Sequence, residues 1–347
     1  MKIPAAAPGD GSVLVTVVLA TPEAGAAGTF TILDMLSSVG LVWESLHGEE
    51  PRPPRFKPLL LSLDGQPYTN PNGVVITPHG KLADVPAPDI VIIPELVLSP
   101  SEPLPDGYGP IVAWLRETYG RGAIIGTVCS ATLLLGATGL LDGEDAATHW
   151  GYCDAIASRC PNVRVRKERI LVPAGDGHRL ITSGGASSWY DLLLYLIGRF
   201  VSADEARRIA KVFLITPHLQ GQLPFAGLVP QGRHDDRVVA AAQAWIADHY
   251  KTPNPVAAMA ARSGLTERGF LDRFKRATGM SPMDYVQTLR IEEAKHLLET
   301  GDLPLDDVAA EVGYAEPSSF RRLFRRMVGI SPAAYRRQRL RLPAECV

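Results

Sequence analysis

Gly264-Leu265-Thr266-Glu267-Arg268-Gly269-Phe270-Leu271-Asp272-Arg273-Phe274-Lys275-Arg276-Ala277-Thr278-Gly279-Met280-Ser281-Pro282-Met283-Asp284-Tyr285 is followed by a second copy of its own pattern. That copy is Gly313-Tyr314-Ala315-Glu316-Pro317-Ser318-Ser319-Phe320-Arg321-Arg322-Leu323-Phe324-Arg325-Arg326-Met327-Val328-Gly329-Ile330-Ser331-Pro332-Ala333-Ala334-Tyr335. Gly, Phe, Phe, Gly, Ser, Pro and Tyr recur at matched intervals, except for one extra residue after the first glycine of the second copy. Seven matched positions at fixed spacing mark a structural duplication. An alanine-rich apolar segment precedes each copy, over residues 256–261 and 308–312. A glycine at its end permits the positive φ of a tight interhelical turn. Phe270 and Phe274, like Phe320 and Phe324, are four residues apart and so share one buried helix face. Ser-Pro then opens a third helix, serine as the cap and proline at the first helical position.

Each copy is therefore a helix-turn-helix, and two in tandem can reach successive major grooves on one side of a duplex. Away from the phenylalanines the first copy presents Arg268, Asp272, Arg273 and Arg276, with Thr266 placed to cap the helix. The second presents Ser318, Arg321, Arg322 and Arg325. An arginine can bond bidentately to guanine, whereas Arg325, Arg326 and Arg336 serve equally well as phosphate contacts. From Pro230 onward there are 18 basic against 15 acidic residues, leaving 17 against 22 in the rest, and residues 318–341 hold eight arginines and no acid. Such a stripe is the electrostatic footprint of phosphate contact. The segment from Arg237 to Arg341 resembles the DNA-binding domain of AraC/XylS-type transcription regulators. The run Leu289-Arg290-Ile291-Glu292-Glu293-Ala294-Lys295-His296-Leu297-Leu298 stands where that family joins its two motifs. The resemblance implies double-stranded DNA as partner and admits RNA polymerase as a further one. A homodimer is expected, because one copy reads little DNA.

A chain of 347 residues divides into about two domains, and a formal net charge of −2 excludes a general nucleic-acid coat. Four cysteines without CxxC spacing exclude a disulfide framework and argue against structural zinc. No metal or cofactor is expected, and a reducing cytoplasm fits. The apolar run over residues 13–20 is too short for a secretory signal and reads as a buried strand. Gly126, Gly136 and Gly139 interrupt the stretch 123–141, which reads as strand, turn and helix rather than a membrane span.

In the front two-thirds, apolar strands over 13–19, 74–76, 89–94, 123–128 and 180–182 alternate with helices over 29–39, 111–119, 150–158, 187–200 and 203–213. The pattern predicts an α/β/α sandwich of the flavodoxin-like kind, with a mostly parallel sheet covered on both faces. Ligands of such sheets sit beyond the carboxyl ends of the strands. There lies Gly126-Thr127-Val128-Cys129-Ser130-Ala131, a strand running into a helix with cysteine at the turn, as in a nucleophile elbow. With Ala147-Thr148-His149-Trp150 and Gly139-Leu140-Leu141-Asp142-Gly143, it resembles the PfpI-like branch of the class I glutamine amidotransferase-like superfamily. The GlxA-like regulators fuse this branch to an AraC-type domain.

Three departures oppose catalysis. Ser130 stands where catalytic members carry histidine, Glu95 and Leu96 follow Pro94 in place of glycines, and Gly28 stands where redox-active members have glutamate. No catalytic residue is therefore assigned. The expected domains are a sensor over 1–214, a linker over 215–236 broken by prolines and glycines, and a DNA-binding domain over 237–341. Cys129, Glu95, His149, Ser130 and Ser187 are the candidate ligand-pocket residues, for a small effector of the nitrogen-containing kind that the resemblance implies. Two alternatives stay open: a hydrolase or deglycase-type cysteine enzyme fused to a DNA-binding domain, and a redox sensor in which Cys129 is oxidised.

Overall fold

The computed structural model describes residues 12–227 and 234–338. The chain forms two compact units, dividing between Gln222 and Leu223.

The first unit is built on seven strands: β1 Leu14–Leu19, β2 Phe56–Ser62, β3 Gly80–Lys81, β4 Ile90–Ile93, β5 Ile124–Val128, β6 Leu171–Ala174 and β7 Leu180–Ser183. Their order across the sheet is β6-β7-β5-β4-β1-β2-β3. Every pairing is parallel except that of β6 with β7 at one edge. Successive residues of a strand point to opposite faces, so the apolar runs feed two cores. Val17, Leu19, Val91, Ile93 and Ile125 enter one core. Val18, Ile90, Ile92, Ile124 and Val128 enter the other.

Helices α1 Ala26–Ser37 and α2 Val42–His47 follow β1, α3 Gly109–Gly120 follows β4, and α4 Thr132–Ala137 and α5 Cys153–Arg159 follow β5. Helices α6 Trp189–Phe200 and α7 Ala203–Val212 follow β7. Ile111 and Leu115 of α3, Leu133 to Leu135 of α4 and Ile156 of α5 fill the first core. Ile32 and Met35 of α1, Leu192 and Leu196 of α6 and Ile209 of α7 fill the second. A mostly parallel sheet covered on both faces is thus what forms.

Three strands of this sheet lie outside the sequence expectation: β2, the short β3 and β6. The expected strand over 74–76 is instead a short piece, Val75–Ile76, paired antiparallel with Tyr68–Thr69 away from the central sheet. The first part of the expected linker over 215–236, up to Gln222, belongs to the first compact unit. Its residue Gln222 is 2% exposed, donates from Nε2 to the carbonyls of Thr148 at 2.7 Å and Arg169 at 3.1 Å, and accepts from Trp150 N at 3.0 Å. A side-chain amide with three partners anchors its segment to the first unit. Residues 228–233 of that linker and 339–341 of the expected DNA-binding domain lie outside the described residues.

The second unit is all-helical: α8 Arg237–His249, α9 Pro255–Ser263, α10 Glu267–Thr278, α11 Pro282–Thr300, α12 Leu305–Glu311, α13 Pro317–Val328 and α14 Pro332–Gln338. Val239, Ile246, Met259, Phe270, Phe274 and Val286 form one core. Ile291, Leu298, Val308, Phe320, Phe324 and Tyr335 form a second. Helix α11 supplies residues to both, so it is the shared wall of two half-domains. No described helix is long and apolar enough to cross a membrane.

Candidate functional site: a two-motif nucleic-acid interface and a strand-end cluster

Each half of the second unit is assembled by the same rings. Phe270 and Phe274 have centroids 5.6 Å apart, and Phe274 meets Tyr285 edge-on at 5.5 Å. Phe320, Phe324 and Tyr335 repeat these distances, 5.6 Å and 5.5 Å. The turns into α10 and α13 pass through Gly264 at φ +69° and Gly313 at φ +85°. At Gly313 a Cβ would lie 3.0 Å from the Lys251 Cα and 3.2 Å from the Arg290 Cζ, so the position excludes side chains by space as well as by φ. Thr266 caps α10, accepting from Gly269 N at 3.2 Å, and Ser281 caps α11, accepting from Asp284 N at 3.1 Å.

Arg290 of α11 joins the halves. It donates to the carbonyls of Tyr250 (2.7 Å), Thr252 (3.3 Å) and Gly313 (3.1 Å), and its guanidinium lies 5.2 Å from the Tyr314 ring centroid. One side chain thereby ties the turn after α8 to the turn before α13.

The expected DNA-facing residues divide by what already engages them. Arg268, Asp272 and Arg276 are exposed on α10, as are Ser318, Arg322 and Arg325 on α13, where Ser319 is partly covered. Arg321, Arg322, Arg325, Arg326 and Ser331 line a cavity of about 530 Å³. Arg321 is paired with Asp306, and Arg326 donates to Gln287 at 3.2 Å. Arg273 departs from the expectation. Its Nε lies 2.7 Å from Asp236 Oδ2, holding that carboxyl down at about 2, while Asp236 Oδ1 caps α8. Its counterpart in the second copy is the buried Leu323, so the position lies on the inner flank of the helix. Arg336 also departs, donating to the Leu303 carbonyl at 2.6 Å and holding α14 in place.

In the first unit the carboxyl ends of β4, β5 and β7 converge on Cys129, which has φ +59°, the strained turn of an elbow. The turn is pinned on several sides. Thr148 Oγ1 donates to the Cys129 carbonyl at 2.8 Å, Thr127 and Thr132 hydroxyls meet at 2.9 Å, and Ser183 Oγ donates to the Thr127 carbonyl at 3.0 Å. Burial pushes the Cys129 thiol up to about 11, and the Glu95 carboxylate adds to the rise.

Glu95 turns toward α1. Its Oε1 accepts from Gly28 N at 3.3 Å, while Oε2 is buried without a partner among the described residues, and burial raises the carboxyl above its ordinary value. A Cβ on Gly28 would fall 2.1 Å from Oε2. The absent side chain at Gly28 is the space that Glu95 uses, so the two departures noted separately in the sequence are one substitution of place.

His149 Nδ1 accepts from Gly151 N at 3.0 Å, its ring tilts against Trp150 at 4.7 Å, and burial lowers its pKa. Ser130 is fully buried, bonded to the Leu96 carbonyl and accepting from Leu96 N at 3.1 Å, so it braces the β4 and β5 ends and presents nothing to a ligand. Ser187 is exposed, and its Oγ faces His218 Nε2 at 3.4 Å, with His218 Nδ1 in turn 2.7 Å from Asp191 Oδ2. Sequence reading missed Gln222, Arg290 as a clamp, and Tyr152, whose hydroxyl donates to the Leu98 carbonyl beside the cysteine turn.

Family models match both units. A helix-turn-helix domain model matches residues 259–338, and the DJ-1/PfpI family model matches residues 49–198. The HTH-type transcriptional regulator CdhR of Pseudomonas aeruginosa is 27% identical over 276 residues, 79% of this chain and 80% of that protein. The HTH-type transcriptional regulator GlxA of Rhizobium meliloti is 26% identical over 227 residues, 65% of this chain and 68% of that protein. Isonitrile hydratase of Pseudomonas putida is 28% identical over 149 residues, 41% of this chain and 59% of that enzyme.

Proposed function

On the premise that the chain is a transcription regulator joining a DJ-1/PfpI domain to an AraC-type helix-turn-helix domain, we propose that its first unit is a metabolite sensor and not an enzyme. The observation that carries this reading is the state of Cys129. A cysteine nucleophile needs a thiolate or an adjacent base. Here burial and Glu95 push the thiol up to about 11, the residue after it is a buried serine, and His149 Nδ1 is engaged with Gly151 N. The elbow keeps the geometry of a reactive site without its activated group. Glu95, His149 and Cys129 then serve as lining for a small effector that alters how the second unit meets DNA. The regulator acts in the cytoplasm as a homodimer, with two-motif readers on two half-sites, and hands its signal to RNA polymerase.

Selection of bound sequences from a random DNA pool, with and without cell metabolite extract, tests the whole. An effector-dependent change in the selected set is expected. Alkylation supplies the chemical test: Cys129 should react with iodoacetamide at a rate that keeps climbing from pH 7 toward pH 11. Rapid labelling at pH 7, lost in Cys129→Ser, overturns the sensor reading in favour of an activated thiol.

A further inference from the structure

Helix α10 carries an exposed aliphatic side chain among its exposed charged residues. Leu271 is 36% exposed, while Phe270 and Phe274 of the same helix are fully buried. It belongs neither to the core around those phenylalanines nor to the hydrophobic residues packed against it. Arg268 and Lys275 are three residues before and four after, so they share its stripe, and Asp272 adjoins it. All three neighbours are exposed. The second copy has Arg321 at the matching position, and that arginine is paired with Asp306.

A polar, charged stripe interrupted by one leucine is a poor phosphate binder at that point. The apolar group that B-DNA offers in the major groove is the thymine C5-methyl. Asp272 narrows the reading further. A carboxylate is repelled by phosphate and complements only an amino group on a base edge, such as cytosine N4. Among the described residues no hydrogen bond or ion pair engages Asp272, in contrast to Arg273 beside it. Leu271 and Asp272 together therefore lower affinity for indifferent DNA and reward one kind of base step.

We infer that Leu271 reads a thymine methyl, making the first motif the discriminating half of the interface. This rests on the reading of the second unit as a DNA reader, and the test separates the two. The full-length protein is used to select its preferred duplex, and each thymine of that duplex is replaced in turn by deoxyuridine, which removes only the methyl. One thymine under the first motif should be sensitive, with binding about fourfold weaker, the effect of one methyl-sized apolar group. Leu271→Ala should bind the thymine and uridine duplexes alike, and 5-methylcytosine at that position should bind the wild-type protein about fourfold more tightly than cytosine does, a gain absent in Leu271→Ala. If no thymine is sensitive, or if sensitivity persists in Leu271→Ala, the inference fails while the regulator reading stands. If no duplex is selected at all, the regulator reading itself fails. The uridine arm changes only the DNA, so it does not depend on the folding of a variant.

Discussion

The two helix-turn-helix copies share a skeleton and differ in their surface. Their ring distances agree, their turns pass through glycines in the same conformation, and α10 and α13 both end at a left-handed glycine, Gly279 and Gly329. Their exposed faces diverge. Where the first has Arg268, Leu271 and Asp272, the second has Ser318, Arg321 and Arg322. Packing tolerates little change in a filled core, whereas the outer face is free to take on chemistry. The mixed first face suits discrimination between bases, and the arginine-rich second suits anchorage on the backbone.

The equivalence of the cores gives the largest expected effect. Phe274→Ala and Phe324→Ala should each cost about 3–5 kcal/mol, from lost burial and the cavity left behind. Denaturant unfolding of the two variants should give matching losses, and a strongly unequal pair would break the symmetry. Next comes the joint. Arg290→Ala removes the donor from three carbonyls and should cost about 2–3 kcal/mol, judged by hydrogen bonds to charged groups. Its signature is a loss of affinity for duplexes that engage both motifs, with little change for a duplex carrying only one half of the footprint. The smallest effects separate the faces. Arg268→Ala should relax preference at one base pair by about 1–3 kcal/mol, while Arg325→Ala should weaken all sequences alike and lower the salt slope by about 1. Binding titrations across a salt series distinguish them, and identical behaviour would erase the proposed division of labour.

Much of this was legible because it is local. Serine before proline, glycine after an apolar run and phenylalanines four apart each specify a conformation without reference to distant residues, and Ser281, Gly264 and Phe270 follow those rules. The elbow at Cys129 was legible for the same reason. Strand β2 was not, although it lies beside β1 in the sheet. Lys57 and Pro58 disguise its start, and Pro58 is tolerated in a strand position that sequence rules assign to edges. Arg273 escaped because it sits on the boundary of the helix face, where a position three residues along can turn either way. Its role depends on Asp236, 37 residues earlier. Gln222 and Ser130 escaped because their partners are backbone groups far away in sequence, which no spacing rule records. The contact of Glu95 with Gly28 spans 67 residues, and only the fold brings a missing side chain and a displaced carboxylate to one place.

The grip of Arg290 on three carbonyls also sets a ruler. With the two readers held at a constant phase, the stretches they inspect must lie about one turn of B-DNA, 10–10.5 base pairs, apart. Inserting a single base pair between those stretches rotates one away from its reader by roughly 34°, so a target with perfect bases at the wrong interval is as foreign to this protein as one with the wrong bases.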